Sequence, residues 1–380
     1  MRVDLASLGT FNRIGTAGAR KAADALSTLT GAQTRVETTK INFAPVDSVS
    51  ALFDDVETAV AIEFDGGLEG HALLVFDANS AEYVLDALGE DADETYLHEV
   101  ANILTSSFVD GWAEQLDDTI DIATPSTVEE PPHRVPDADL ADFSFVFESD
   151  LGVGDDHECR FYLLPDPQSF LEMLQESEQN SSEGVSVREL SAFIRLTAAG
   201  AETVATNLET MTGIETDVSV SHLDFVPVED VANVVDAEEY VGTVFQFTGT
   251  IEGFLAVMFA ADGANAVADA LVPGDAGEEG LRRSAIEEIG NVTASGFVDG
   301  WANAMGTTID HSVPDFVDDM GKAVLESIAV QLGQSQEFAY VFDVTITAGE
   351  PLTCRLFAFP DADGFRTVVS GLDVSTVERI

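Results

Sequence analysis

Lysine is nearly missing from this chain. Only Lys21, Lys40 and Lys322 occur in 380 residues, and lysine plus arginine number 16 against 70 aspartates and glutamates, a formal net charge of −54. Such a surface repels duplex DNA and anionic lipid, so nucleic-acid and membrane-surface binding are excluded as functions. Cysteine is equally scarce: Cys159 and Cys354 are too few for a disulfide framework or a thiolate zinc site. The six histidines never fall at i, i+3 or i+4, so no resident metal is expected. No apolar run approaches the roughly 18 residues of a membrane span, and residues 1–15 lack the apolar stretch of a secretory leader. A cytoplasmic location without membrane insertion is therefore expected.

What remains is globular in character. Hydrophobic residues make up 45 % of the chain and include 24 phenylalanines, enough to bury a core. The acidic residues are spread through segments that otherwise alternate like folded elements, and do not form a block. Two readings of the charge compete, adaptation to a high-salt cytoplasm and recognition of a cationic partner. The even spread favours the first, because at molar ionic strength the Debye length is about 3 Å and carboxylates barely repel one another.

The chain resembles itself. Phe-Val-Asp-Gly-Trp-Ala stands at Phe108–Ala113 and again at Phe297–Ala302, an offset of 189. Ile41–Val46 is echoed by Leu223–Val228 at 182, Leu68-Glu69-Gly70 by Ile251-Glu252-Gly253 at 183, and Cys159-Arg160 by Cys354-Arg355 at 195. Drift of this size reflects loop insertions, and the period is far too long for a solenoid. The polar stretch Gln175–Arg188 marks the seam, giving a first domain at 1–178, a linker at 179–184 and a second domain at 185–380.

Each half reads as helix, strands, helix, strands. In the first half, helices are expected over Leu8–Leu29, Ala81–Leu88 and Tyr96–Leu116, with a closing helix from Gln168. Strands are expected over Val36–Val46, Ala59–Phe64, Leu68–Phe76, Asp142–Glu148 and Glu158–Leu164, the second and third joined by a hairpin at Phe64–Leu68. The second half repeats this from Glu189, and the two helix-plus-strands units in each half suggest an older internal duplication.

The long second helix carries the chemistry. Leu97, Ala101, Phe108, Trp112 and Leu116 form one apolar stripe, matched by Ile286, Ile289, Thr293, Phe297, Trp301 and Met305 in the second half. Thr95, Glu99 and Asn102, and likewise Ser284, Glu288 and Asn291, fall on the opposite face, followed by Pro125 and Pro314. Exposed Glu and Asn are commonly just solvated, and Ser284 with Glu287 also fits a helix capping box. Yet Ser/Thr-x3-Glu-x2-Asn-x22-Pro appears whole in both halves. Pro125 and Pro314 read as turn-setting residues ahead of a strand, Trp112 and Trp301 as core anchors, and the two cysteines as core residues in apolar strands.

That pattern resembles the signature of the CheC/CheX/FliY phosphatases of chemotaxis, here in a tandem two-domain form of haloarchaeal type. The stretch from Arg13 to Ser27 is similar to the first signature helix of CheC, which normally reads E-I-G-N-x-G-x-G. The resemblance implies an α+β fold of two tandem CheC-like domains. Each would be an antiparallel sheet with long helices and an internal pseudo-twofold repeat. It implies a hydrolase that removes phosphate from the aspartyl phosphate of CheY, with no cofactor of its own and a divalent metal such as Mg²⁺ on the regulator. CheD is a further partner that it implies. Glu99 and Glu288 would pair with the regulator's lysine, and Asn102 and Asn291 would hold the attacking water. The first helices depart from the signature: Arg13 and Thr16, and Arg195 and Ala198, stand where Glu and Asn belong, so two working sites are expected rather than four. A non-catalytic adaptor binding CheD or the motor switch is the rival from another class.

Overall fold

The computed structural model describes residues 2–3, 5–45, 49, 58–89, 92, 94–128, 143–154, 157–177, 185–213, 215–235, 238–271, 279–347 and 353–372. The chain divides into two compact units, Met1–Gly184 and Val185–Ile380. The linker expected at 179–184 lies outside the described residues. The wider polar stretch is shorter than its composition suggests, because a helix runs on to Ser177 and the next is already capped at Ser186.

Unit 1 runs β1 (Arg2–Val3), α1 (Leu5–Thr30), β2 (Thr34–Pro45), β3 (Thr58–Gly66), β4 (Gly70–Phe76), α2 (Ala78–Leu88), α3 (Glu94–Leu116), β5 (Ile120–Ile122), β6 (Ser126–Val128), β7 (Phe143–Val153), β8 (His157–Pro165) and α4 (Pro167–Ser177). Its sheet has the order β2-β7-β8-β4-β3-β5, with β6 also on β3, and these neighbours pair antiparallel. Exchanging α1-β2-β3-β4-α2 for α3-β5/β6-β7-β8-α4 reverses this order onto itself. The internal pseudo-twofold repeat is therefore present in the topology, with its axis between β4 and β8.

Unit 2 runs β9 (Val185–Ser186), α5 (Val187–Thr212), β10 (Asp217–Pro227), β11 (Glu239–Gly249), β12 (Gly253–Ala260), α6 (Ala261–Leu271), α7 (Glu279–Met305), β13 (Ile309–His311), β14 (Asp315–Met320), α8 (Gly321–Leu332), β15 (Phe338–Thr347), β16 (Thr353–Pro360) and α9 (Ala362–Ser370). Its sheet order, β10-β15-β16-β12-β11-β13 with β14 on β11, has the same symmetry. The α+β class holds in both units. Helix α8, not expected from the sequence, buries Val324, Leu325, Ile328, Ala329 and Leu332 against Ala256, Met258, Phe357 and Phe359 on the sheet face away from α7. The short strands β5 and β13 were also not anticipated, since they carry no apolar alternation long enough to read, whereas β6 and β14 directly follow Pro125 and Pro314, which were read as preceding a strand.

The two long helices of each unit are held on the sheet by an equivalent aromatic quartet. In unit 1, Trp112 stacks on Phe11 with centroids 5.8 Å apart and meets Phe147 edge-on at 4.8 Å, and Phe170 closes the group against Phe147 at 5.4 Å. In unit 2, Trp301 meets Phe193 at 5.1 Å and Phe342 at 5.4 Å, with Phe365 against Phe193 at 5.3 Å. Burying each of these rings contributes about 2–3 kcal/mol. The glycine of the repeated hexapeptide lets the helices approach. A Cβ on Gly111 would come 3.1 Å from Gly18 Cα, and one on Gly300 would come 2.6 Å from Gly200 Cα. Gly70 and Gly253 repeat for a related reason, each at positive φ, where a Cβ would strike the carbonyl of Leu164 or Phe359 on the adjoining strand.

The quartets differ in one hydrogen bond. Trp301 Nε1 donates to Thr197 Oγ1 at 3.0 Å, whereas buried Trp112 Nε1 finds no partner among the described residues, because Gly15 stands at the position equivalent to Thr197. Thr197→Val should therefore lower stability by about 1–3 kcal/mol. A Cβ at Gly15 would meet only ordinary contacts, Thr39 Cγ2 at 3.4 Å and Phe147 Cδ1 at 3.7 Å. Gly15→Ser should accordingly raise stability by about 1–2 kcal/mol, from helix propensity and the new acceptor together. Denaturant unfolding of the two variants checks both signs.

On the face of the unit 1 sheet away from α3, Lys40 Nζ lies 3.4 Å from Glu148 Oε2, and Asn42 Nδ2 donates to that same oxygen at 2.6 Å. Burial, and then the neighbouring Glu148, push the Asp150 carboxyl up to about 7; Lys40 and Arg160 oppose this and Glu158 adds to it. An acid with a raised folded pKa binds its proton more tightly in the native state, so its contribution to stability falls as pH rises from about 4 to about 7. Asp150→Asn should remove that slope. Its melting temperature should exceed the parent's at pH 8 and draw level near pH 4; an unchanged pH profile would contradict the assignment.

Candidate functional site

Helix α3 turns Leu97, Val100, Ala101, Leu104, Phe108 and Trp112 into the core. Leu116 at its end and Met305 at the end of α7 are only half-buried, so the apolar stripes stop short of the last turn. This rotation leaves Thr95 and Glu99 exposed and Asn102 half-buried. Helix α7 does the same, burying Ile286, Ile289, Thr293, Phe297 and Trp301 and leaving Ser284 and Glu288 exposed with Asn291 half-buried. Residues three apart on a helix have Cβ atoms about 5–6 Å apart, so each helix presents a carboxylate beside a carboxamide. Ser284 is not a cap. Helix α7 begins at Glu279, which places Ser284 in the helix interior, and Glu287 instead accepts from Arg283 Nε at 2.8 Å.

The prolines lie beside these faces. Pro125 directly precedes β6 and Pro314 directly precedes β14, and both are half-buried. In unit 2 the segment 311–316 is tied to α7 at both ends. His311 Nε2 lies 2.9 Å from Ser295 Oγ, and the Arg283 guanidinium sits 4.6 Å over the Phe316 ring. Arg283, Glu287, Asn291 and Ser295 form one i, i+4 row, about 18 Å from end to end. The five steps from His311 to Phe316 stand opposite only four on β11, Phe247 to Thr243, a span of about 13 Å. Val313 and Pro314, near the middle of that segment, therefore lie alongside the stretch of the row that carries Glu287 and Asn291. His311 Nδ1 lies 2.9 Å from the Ser312 carbonyl, which can only accept. Nδ1 thus carries the proton, and in the neutral ring Nε2 accepts from Ser295. Unit 1 has its own tie, His98 Nε2 to Thr127 Oγ1 at 2.7 Å, while Ser106 Oγ donates to the Asn102 carbonyl at 2.7 Å. The two histidine ties escaped the sequence because each joins separate elements, whereas the Ser106–Asn102 bond lies within α3.

The first helices present the same geometry with different chemistry. Arg13 and Arg195 are exposed, and Thr16 and Ala198 are half-buried, three residues on in each case. The Thr16 hydroxyl is engaged by the Asn12 carbonyl at 2.9 Å, and Asn12 itself is buried and donates to the Thr39 carbonyl at 2.8 Å. Neither face offers a carboxylate or a carboxamide at these positions.

Cys159 and Cys354 are buried; burial pushes the Cys354 thiol up to about 12 and the Cys159 thiol higher still, so neither is a nucleophile at neutral pH. Among the described residues no three His, Cys, Asp or Glu side chains converge to hold a metal ion, and no helix is long and apolar enough to cross a membrane. An open cleft of about 430 Å³ at the start of α2, with Asp77, Tyr83 and His157 in its wall, includes none of the signature residues.

A family match falls on each of these helices. Residues 96–129 and 281–317 match the CheC-like family, one stretch in each unit, running from α3 to β6 and from α7 to β14. The chain is 33 % identical over 193 residues to a Halobacterium salinarum protein named as a candidate CheY-P phosphatase, CheC1, covering 50 % of this chain and 98 % of that protein. It is 31 % identical over 104 residues to the CheY-P phosphatase CheC of Bacillus subtilis, covering 27 % of this chain and 50 % of that protein. Among solved structures, FliY of Thermotoga maritima aligns with 47 % of this chain and 100 % of its own, at 20 % identity and a TM-score of 0.39. The FliM middle domain of H. pylori aligns with 46 % of this chain and 99 % of its own, at 13 % identity and a TM-score of 0.36. With the signature intact on α3 and α7 and nearly the full length of a relative matched, the chain belongs to the CheC-like family.

Proposed function

We propose that the chain is a cytoplasmic phosphatase of a phosphorylated CheY-type response regulator, acting through two sites, Glu99 with Asn102 and Glu288 with Asn291. The observation that carries this reading is the recurrence of one outward carboxylate–carboxamide pair, at the same rotation, on both α3 and α7. An aspartyl phosphate is an acyl phosphate, and its hydrolysis needs an in-line water and stabilisation of the transferring phosphoryl group. The regulator supplies the metal and lysine, as the family resemblance implies, so this chain contributes positioning. Each Asn can accept a hydrogen bond from the water and donate another, aligning its lone pair with phosphorus. Each Glu, one helical turn away, pairs with the regulator's lysine and sets the register. The water's oxygen bonds to phosphorus as the bond to the aspartyl oxygen breaks, leaving phosphate and a free carboxylate. Thr95 and Ser284 support the exposed face, and Pro125 and Pro314 hold the flanking segment.

The first helices favour a second role beside catalysis. Arg13 with Thr16 and Arg195 with Ala198 keep the exposed shape of a site without its reactive groups, which suits docking of a partner such as CheD or the motor switch.

Decay of phosphorylated CheY-type regulator at molar KCl tests the reading. The chain should accelerate it, each single variant, Asn102→Ala or Asn291→Ala, should keep part of the acceleration, and the double variant should lose roughly 10²-fold or more. Undiminished acceleration by the double variant would overturn the mechanism.

A further inference from the structure

The two faces carrying Glu and Asn are not equivalent at their rims. Val313 is 80 % exposed, the most exposed large apolar side chain among the described residues, and Leu281 on α7 is 43 % exposed. Leu281 stands one turn before Ser284 on the same side of the helix, and Val313 lies on the segment that runs along the row carrying Asn291. In unit 1 the equivalent positions are Thr124 and Ala92. Val313 is also held still. Ser312 N donates to the Gln246 carbonyl at 2.8 Å, Gln246 N donates to Ser312 Oγ at 3.1 Å, and Ser312 Oγ donates to the Val313 carbonyl at 2.9 Å. The neighbouring His311 is fixed by Ser295. A single exposed valine on a mobile loop would mean little. An apolar side chain fixed on rigid backbone beside a polar docking face loses little entropy when covered.

We propose that Val313 is an apolar docking contact for the response regulator at the unit 2 face, making that face the tighter of the two. The proposal rests on the assignment of Glu288 and Asn291 to regulator binding. Its occupant is an apolar side chain on the regulator, beside the lysine that Glu288 engages. Charge favours this choice: 70 acidic residues against 16 basic ones point to working conditions of high salt, where ion pairs weaken and apolar contacts do not.

The test is binding of a CheY-type regulator phosphorylated with acetyl phosphate to the full chain at molar KCl. Asn102→Ala and Asn291→Ala are both present, so that the complex is not consumed. With Glu99→Arg added, binding runs through unit 2, and Val313→Thr should raise Kd about fivefold, the scale of one apolar side chain covered. With Glu288→Arg added instead, binding runs through unit 1, where Val313→Thr should change nothing and Thr124→Val should lower Kd. An unchanged Kd for Val313→Thr in the first background overturns the inference even if the chain accelerates regulator decay. A Kd shift without acceleration by the Asn-intact chain supports docking and overturns catalysis. Failure of the regulator to bind in either background overturns both.

Discussion

The close approach of two helices is the constraint on which each unit depends. At Gly18 with Gly111, and at Gly300 against Gly200, backbone meets backbone so closely that a Cβ on Gly18 or Gly300 would collide and one on Gly111 would be tight. The aromatic quartets around Trp112 and Trp301 then fix how α3 and α7 are rotated on the sheet. Packed aromatic rings tolerate little rotation, because any turn opens a void or drives one ring into another. With the buried stripe fixed, the opposite face is fixed too. The outward carboxylate–carboxamide pair is therefore held in place by the core on the other side of its helix.

The pseudo-twofold topology separates shape from chemistry. Helices α1 and α5 occupy the places of α3 and α7 in the exchanged half of each sheet, and they expose residues at the same i, i+3 spacing. They carry a cation and a small residue there instead of an acid and an amide. One scaffold thus presents a cation at this position of one helix and an acid at the same position of the other. Fold alone would not distinguish them; the residues on the faces do.

Most of the architecture was legible because repetition multiplied weak signals. Phe108 and Trp112, repeated as Phe297 and Trp301, read as core; in the structure the tryptophans are quartet members, Phe108 packs on Phe161 with centroids 4.6 Å apart, and the glycine between each pair is the crossing point, which the sequence did not mark. The stripe ending at Leu116 and Met305 was overextended by one turn, since the last turn of a helix packs against less of the core. Ser284 looked like a cap because Ser-x-x-Glu is one, but Gly280 did not stop α7 from starting five residues earlier. The capping box that does form, Ser186 with Glu189, had the same local pattern. Strands of three residues left no period to detect. The ties between Ser295 and His311, and between His98 and Thr127, join elements distant in sequence, so only the fold brings them together. The exposure of Val313 was likewise invisible, since an isolated valine in a sequence reads as core.

Hydrogen–deuterium exchange of the chain with and without a phosphorylated CheY-type regulator, at molar KCl, tests the central claim most directly. The account predicts protection over the first half of α3 and of α7 and over 311–316, with α1 and α5 unaffected around Arg13 and Arg195. Protection confined to α1 and α5 would contradict it.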